Sequence, residues 1–353
     1  MSANLSSLQN EAVMSQPSNT HRSNNFDFVR LGAALSVLFS HQFALHALPE
    51  PVVLRYQTLG GFAVMIFFAV SGYLITSSWH RDPNLRRYAI RRLLRIWPGI
   101  ACTVLLCLFV LGPFVTELPL SQYFRDHTTR TYLSNLVFRI QPFLPGVFPH
   151  SPLANIPNGV LWTIPIELRC YGYLAILGLL GVLRFRLALL ALVAGTAVWY
   201  YGIYGIESVL DQTHQHIFEV EYATFFFSGS VLYFFKDIWT PPRRKVTCGV
   251  AVVVLGAAAY FANHPLIAAF IMVPYLVIAF GTASFPVIHR FGRFGDLSYG
   301  VYIYAFPVQQ TVIWATPSLD VYQHLAMAVP ITLVLAWLSW HMVENVALRY
   351  KPR

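Results

Sequence analysis

Arg30 and His41 stand eleven residues apart in a stretch that is otherwise mostly apolar. Ionisable groups inside an apolar helix are costly, so a paired or functional role is the first expectation for both. Eleven residues at 100° each leave a remainder of about 20°, so the two side chains share one stripe, separated by about 16 Å along the axis. With the N-terminus cytoplasmic, Arg30 lies near the cytosol and His41 in the outer half of the span. A long anionic cofactor with a reactive far end, such as coenzyme A with its pantetheine arm, has the reach to touch both. The plainer reading of the same spacing makes Arg30 a snorkelling anchor and His41 a core histidine bonded to a neighbouring helix.

Further chain positions carry chemistry. Arg91, Arg92 and Arg95 cluster before an apolar run. Guanidinium suits phosphate, and plain orientation of the protein in the bilayer explains the cluster equally well. Glu167 falls in the outer half of its span, at a depth similar to His41, where a carboxylate can fix an imidazole tautomer as in triad logic. Ser71 precedes Gly72 in mid-span without a nucleophile-elbow motif, so close helix packing is the simpler reading. Glu219 and Glu221 sit at the outer end of a span and Glu344 at the inner end of the last, within reach of a basic loop. His214 and His216 are too weak a spacing for a metal site. The four cysteines, Cys102, Cys107, Cys170 and Cys248, show neither metal-ligand spacing nor a disulfide framework.

The elements that must position these groups are membrane helices. The chain is 56% hydrophobic and 11% charged, against roughly 25% charged for a soluble domain. Apolar runs of about 20 residues, the length that crosses a bilayer, recur near 26–47, 59–79, 96–116, 160–182, 186–204, 217–235, 246–262, 265–282, 297–315 and 323–345. The division between the seventh and eighth rests on Asn263, His264 and Pro265 alone. The fold class expected is therefore all-α, a polytopic protein of about ten transmembrane helices. Both termini are placed in the cytoplasm by charge. One set of loops holds 18 of the 24 Lys and Arg residues (among them Arg22, Arg290, Arg293 and Arg353), and such a bias marks the cytoplasmic side. The opposite loops carry Glu50, Glu117, Asp126, Glu207, Asp211 and Asp320. The net charge of +9 is thus a topology signal and not a nucleic-acid footprint. Residues 1–24, rich in Ser, Asn and Gln, read as a disordered cytoplasmic tail; 25–347 as the transmembrane domain; 117–159 as a long Pro-rich extracytoplasmic loop that caps an acceptor site or is simply variable surface; and 348–353 as a cytoplasmic tail.

Five segments in order resemble motifs of the acyltransferase-3 family of membrane O-acyltransferases. Asp27 to Leu35 with His41 is similar to the family's Leu-Asp-Gly-Leu-Arg-Gly-Ile-Ala-Ala-Leu opening and the histidine after Arg-x10. Phe67-Phe68-Ala69-Val70-Ser71-Gly72-Tyr73-Leu74-Ile75 resembles Phe-Phe-x-x-Ser-Gly-Phe/Tyr-Leu-Ile. Arg91 to Pro98 resembles Arg-Arg-x-x-Arg-Ile-x-Pro, Leu161 to Glu167 resembles Leu-Trp-Ser-Leu-x-x-Glu, and Leu297 to Tyr304 resembles Ile-Ser-Tyr-x-Leu-Tyr-Leu-Trp. The resemblance implies transfer of an acyl group, usually acetyl, from cytoplasmic acyl-CoA to a carbohydrate hydroxyl of a surface glycan or lipid-linked saccharide. It implies catalytic roles for His41, Glu167 and Arg30. It implies donor binding by Arg30, Arg91, Arg92, Arg95, Ser71 and Tyr299, and acceptor binding by Trp162, Asp27 and Tyr302. Acetyl-CoA is the expected donor, with no metal, and the bacterial inner membrane the expected location; membrane lipid surrounds the protein and an oligomer is compatible with the sequence. The chain departs from the pattern where Tyr304-Ala305 replaces the late Trp-His and where Leu168 replaces a second acid. The fused esterase-like domain of some members is not expected here.

Two mechanisms stay open on these residues. His41 acts as general base while the acceptor hydroxyl attacks the thioester directly, or His41 takes the acyl group first as a covalent intermediate. An alternative from another class is a transporter that uses the intramembrane Arg, His and Glu as a substrate or proton path. The motif series and the lack of internal repeats speak against it.

Overall fold

The computed structural model describes residues 24–204, 215–288 and 295–352. Residues 1–23 of the N-terminal tail, with Arg22, lie outside the described residues, as do Glu207, Asp211, His214, Arg290, Arg293, Arg353 and the side chain of His216.

Ten helices of 17 residues or more, counted among the described residues, coincide with the ten apolar runs. They are α1 (Phe26–Ala44), α2 (Leu59–Arg81), α3 (Leu85–Leu106), α4 (Thr163–Leu179), α5 (Arg186–Tyr204), α6 (Gln215–Phe234), α7 (Pro242–Phe261), α8 (Pro265–Gly281), α9 (Leu297–Ala315) and α10 (Val321–Ser339). Among the described residues, five stretches are long and apolar enough to cross a membrane: Leu59–Arg81, Leu85–Val115, Arg186–Ile203, Pro242–Phe261 and Val321–Leu348. Of the others, α4 and α8 are only 17 residues long, and polar residues interrupt the rest. Helices α1, α4 and α6 carry Asp27, Arg30, Glu167, Arg169, Glu219 and Glu221, and α9 carries tyrosines and glutamines. Helix α9 is buried from Ser298 to Gln310, whereas α7 and α5 lie at the periphery with little buried surface. The polar α9 thus lies in the interior and the apolar α5 and α7 at the periphery, while the apolar α2 and α3 are also largely packed inside.

Helices α2 and α6 cross at their backbones. A Cβ on Gly72 would collide with the Phe226 carbonyl, and one on Gly229 with the Ala69 carbonyl. Thr76 Oγ1 donates to Ser230 Oγ at 2.8 Å along the same seam. This is the close packing that Ser71-Gly72 suggested.

Helix α3 starts eleven residues before the apolar run that revealed it. Asn84 caps it by accepting from the Arg87 N–H at 3.0 Å, so Arg91, Arg92 and Arg95 stand on a helix and not in a loop. At its far end the helix passes into a π-turn, Cys107–Leu111. There the Gly112 N–H bonds the Cys107 carbonyl, and Pro113, five residues beyond Leu108, has no N–H to offer. The freed Leu108 carbonyl accepts from the Tyr123 hydroxyl at 2.9 Å. That bond fastens the segment after α3, which is largely packed: Tyr123, Tyr132, Leu144, Val147 and Phe148 are buried. Pro307 in α9 likewise leaves the Ile303 carbonyl without its helical donor. Asn158 Nδ2 supplies one at 2.9 Å, tying the end of the long connection to α9. Helices α7 and α8 are separate, divided at Asn263, whose φ is 64°, with Pro265 opening α8.

Candidate functional site

The helices converge on a cavity of about 40 Å³ lined by Arg30, Val64, Phe67, Phe68, Thr163, Ile164, Glu167, Tyr299 and Tyr302. That exceeds the roughly 10–15 Å³ one water needs. Four of the sequence-derived residues therefore share one wall system, contributed by α1, α4 and α9. Tyr302 is fixed by Thr163 Oγ1 at 2.7 Å and by the edge-on ring of Phe67. Tyr299 donates to the Ile96 carbonyl at 2.7 Å. Glu167 accepts from Ser71 Oγ at 3.1 Å and from the Tyr171 hydroxyl at 2.5 Å.

One end of the cavity is a charged network. Arg30 Nη1 and Arg95 Nη2 both reach Asp296 Oδ2 at 2.5 Å. Arg95 Nη1 reaches the buried Glu344 at 3.0 Å, and Glu344 also accepts from Ser339 Oγ. A π-turn, Trp340–Glu344, follows α10 and sets Glu344 against α3; such turns recur at functional sites. Gly295, at φ 94°, packs against the Trp340 indole where a Cβ would collide. Asp296 precedes α9, and its carboxyl is held well below the usual range: burial opposes ionisation, and Arg30 and Arg95 outweigh it. Sequence reasoning missed Asp296; the Arg-rich motif it serves lies 201 residues away in the chain, and no local pattern marks it.

The three arginines of the cluster have different fates. Arg91 is clamped to Asp82, which Arg87 also binds at 2.5 Å. Those bonds hold the Asp82 carboxyl down at about 2. Arg95 belongs to the Asp296–Glu344 network. Arg92 has no ion pair with a carboxylate among the described residues, and its Nε, like that of Arg91, is buried without a hydrogen-bond partner.

His41 lies beyond the cavity, edge-on to Phe306 with ring centroids 5.8 Å apart; Phe306 is one helical turn from Tyr302. The expected pairing of Glu167 with His41 is corrected: Glu167 is bonded to Ser71 and Tyr171, and the carboxylate beside the imidazole is Glu50, 3.8 Å from Nδ1. The hairpin formed by Val52–Val53 and Gln57–Thr58 folds the loop back toward α1, a placement that the loop sequence does not announce. Asp27 sits in the first turn of α1, and Trp162 packs on Phe218 and Tyr222; neither lines the cavity. Ser71 reaches it only through Glu167. Glu221 is a buried acid held by Tyr56 and Tyr200, and Glu219 pairs with Arg169.

A family model described as an acyltransferase domain, that of the acyltransferase-3 family, matches residues 23–341. The chain belongs to the acyltransferase-3 family. An O-acetyl transferase of Shigella phage Sf6 is 33% identical over 333 residues, covering 92% of this chain and 96% of that protein. Nodulation protein 10 of Rhizobium leguminosarum bv. viciae is 28% identical over 385 residues, covering 95% and 96%. A putative acetyltransferase of Acidianus two-tailed virus is 26% identical over 183 residues, about half of each chain. No solved structure matches. This acyltransferase-3 protein is therefore a helical membrane enzyme of the O-acetyltransferase class.

Proposed function

We propose that the protein moves an acetyl group from cytoplasmic acetyl-CoA to a sugar hydroxyl of a surface or lipid-linked glycan. In this reading all ten long helices cross the bacterial inner membrane and both termini are cytoplasmic. The observation that carries it is the placement of Arg30 and Glu167 on one cavity, with the cationic groups of α1 and α3 at one end and His41 one turn of α9 beyond the other. Arg92 holds a phosphate of the donor, since it is the cluster arginine without a carboxylate. Arg30 is the second donor contact, shared with Asp296.

The pantetheine arm then runs along α1 toward His41. His41 removes the proton from the acceptor hydroxyl, whose oxygen attacks the thioester carbonyl carbon. The C–O bond forms, the C–S bond breaks, and the proton passes to the departing sulfur. General base help of this kind is worth about 10²–10⁴-fold.

Release of free CoA thiol from acetyl-CoA by membranes carrying the protein tests the reading. Acceptor-dependent thiol release is the expected result. No release with any glycan fraction would contradict acyl transfer and favour a transporter.

A further inference from the structure

The geometry points to Glu50 as the positioning residue of His41, with Ser40 as its holder. This rests on the acyl-transfer reading above and assigns the carboxylate of that site. Glu50 Oε2 is 3.8 Å from His41 Nδ1, and the same oxygen accepts from the buried Ser40 Oγ. Ser40 is the residue before His41, so one short segment of α1 carries the imidazole and holds its acid beside it.

The loop is built to bring Glu50 there. The Pro51 carbonyl accepts from the Leu59 N–H at 2.7 Å, closing the hairpin. Leu54 and Arg55, at φ 54° and 52°, turn the chain. Gly60 leaves the space: a Cβ there would stand 3.2 Å from Ser40 Oγ and 3.6 Å from Glu50 Oε2. No other carboxylate of the described residues pairs with His41. On α9 the group against it is the Phe306 ring. The other nearby histidines, His46 of the turn after α1 and His324 of α10, bond each other at 2.9 Å.

An anion at Nδ1 selects the tautomer with its proton on Nδ1 and leaves the Nε2 lone pair as the base. As Nε2 takes the hydroxyl proton, Glu50 stabilises the imidazolium; as Nε2 returns the proton to the CoA sulfur, the neutral ring is restored. Glu50 stays ionised throughout, and no proton is gained or lost overall.

Glu50→Gln tests the assignment, because glutamine keeps the size of the side chain and an oxygen for Ser40 while losing the charge. Two quantities are read: kcat and KM for acetyl transfer, and the pH dependence of His41 carbethoxylation by diethyl pyrocarbonate, followed by mass spectrometry. We expect kcat to fall about 100-fold, with KM for acetyl-CoA within about threefold. The half-point of His41 modification should move down by roughly one pH unit. A merely structural Glu50 would be rescued by glutamine, so wild-type kcat with an unmoved modification profile overturns the assignment. If the wild-type protein transfers no acetyl group, the fault is in the acyl-transfer reading, and the carbethoxylation arm still decides: an unmoved half-point overturns the pairing, a lowered one upholds it.

Discussion

Arg92 and Arg91 are neighbours of one residue type that differ in having a carboxylate partner, which makes them a sharp test at the scale of single side chains. Arg91 is ion-paired with Asp82. Both keep a buried, unpartnered Nε, but Arg92 in addition has no carboxylate partner among the described residues, a cost that a bound phosphate would offset. Arg92→Gln should raise KM for acetyl-CoA roughly tenfold with little change in kcat, since a contact made equally in the ground and transition states acts on KM. Arg91→Gln should leave KM within about twofold by the same logic. Steady-state kinetics on the pair checks this; equal effects would contradict it. Asp82 supplies the pH counterpart. Its folded value is lowered from the ordinary 3.8 to about 2. The stabilisation it contributes is therefore complete above the ordinary value and is lost as pH falls through about 2. Asp82→Asn should abolish whatever acid-limb stability difference the clamp produces and should leave the neutral-pH rate profile unchanged.

Between elements, two kinds of contact set the site, and they differ in how visible they were. Small residues at Gly72 and Gly229 let α2 and α6 touch, and this was legible in Ser71-Gly72. Gly72→Ala would push a methyl into the Phe226 carbonyl, with overpacking costs of about 1–3 kcal/mol that thermal unfolding in detergent would show. The network of Arg30, Arg95, Asp296 and Glu344 was half legible. Arginine and glutamate positions stood out in apolar surroundings, but their partner Asp296 had no local pattern, because ion pairing across hundreds of residues leaves no periodicity. Breaking a buried pair by removing one partner costs about 3–5 kcal/mol, so Glu344→Ala should destabilise strongly and loosen the seat of Arg95. Glu50 was legible only as an outer-loop acid. A hairpin brings it to His41, and turn geometry at Leu54 and Arg55 does not follow from residue types that rarely adopt it.

Taken as a whole, the molecule buries the polar α9 at its centre and leaves the apolar α5 and α7 at its periphery. The ten apolar runs matched ten long helices because hydropathy over about 20 residues is a strong signal. The start of α3 was misplaced because an arginine-rich amphipathic turn looks like a loop to a hydropathy reading. The long connection 117–159 was undecided in sequence and is largely packed in the structure, where Tyr123 and Asn158 satisfy the Leu108 and Ile303 carbonyls that the π-turn and Pro307 release. The proposed ten crossings with cytoplasmic termini make a direct prediction. Single cysteines placed in 117–159 should react with an impermeant maleimide added outside cells, and one at Asn84 only after permeabilisation.

The account depends most on His41 acting on an acetyl group that comes from acetyl-CoA. Inside-out membrane vesicles with acetyl-labelled acetyl-CoA outside and the source glycan present test this directly. Label should enter the glycan with the wild-type protein and fall by at least roughly 100-fold in His41→Ala. Equal labelling by both proteins would contradict the account.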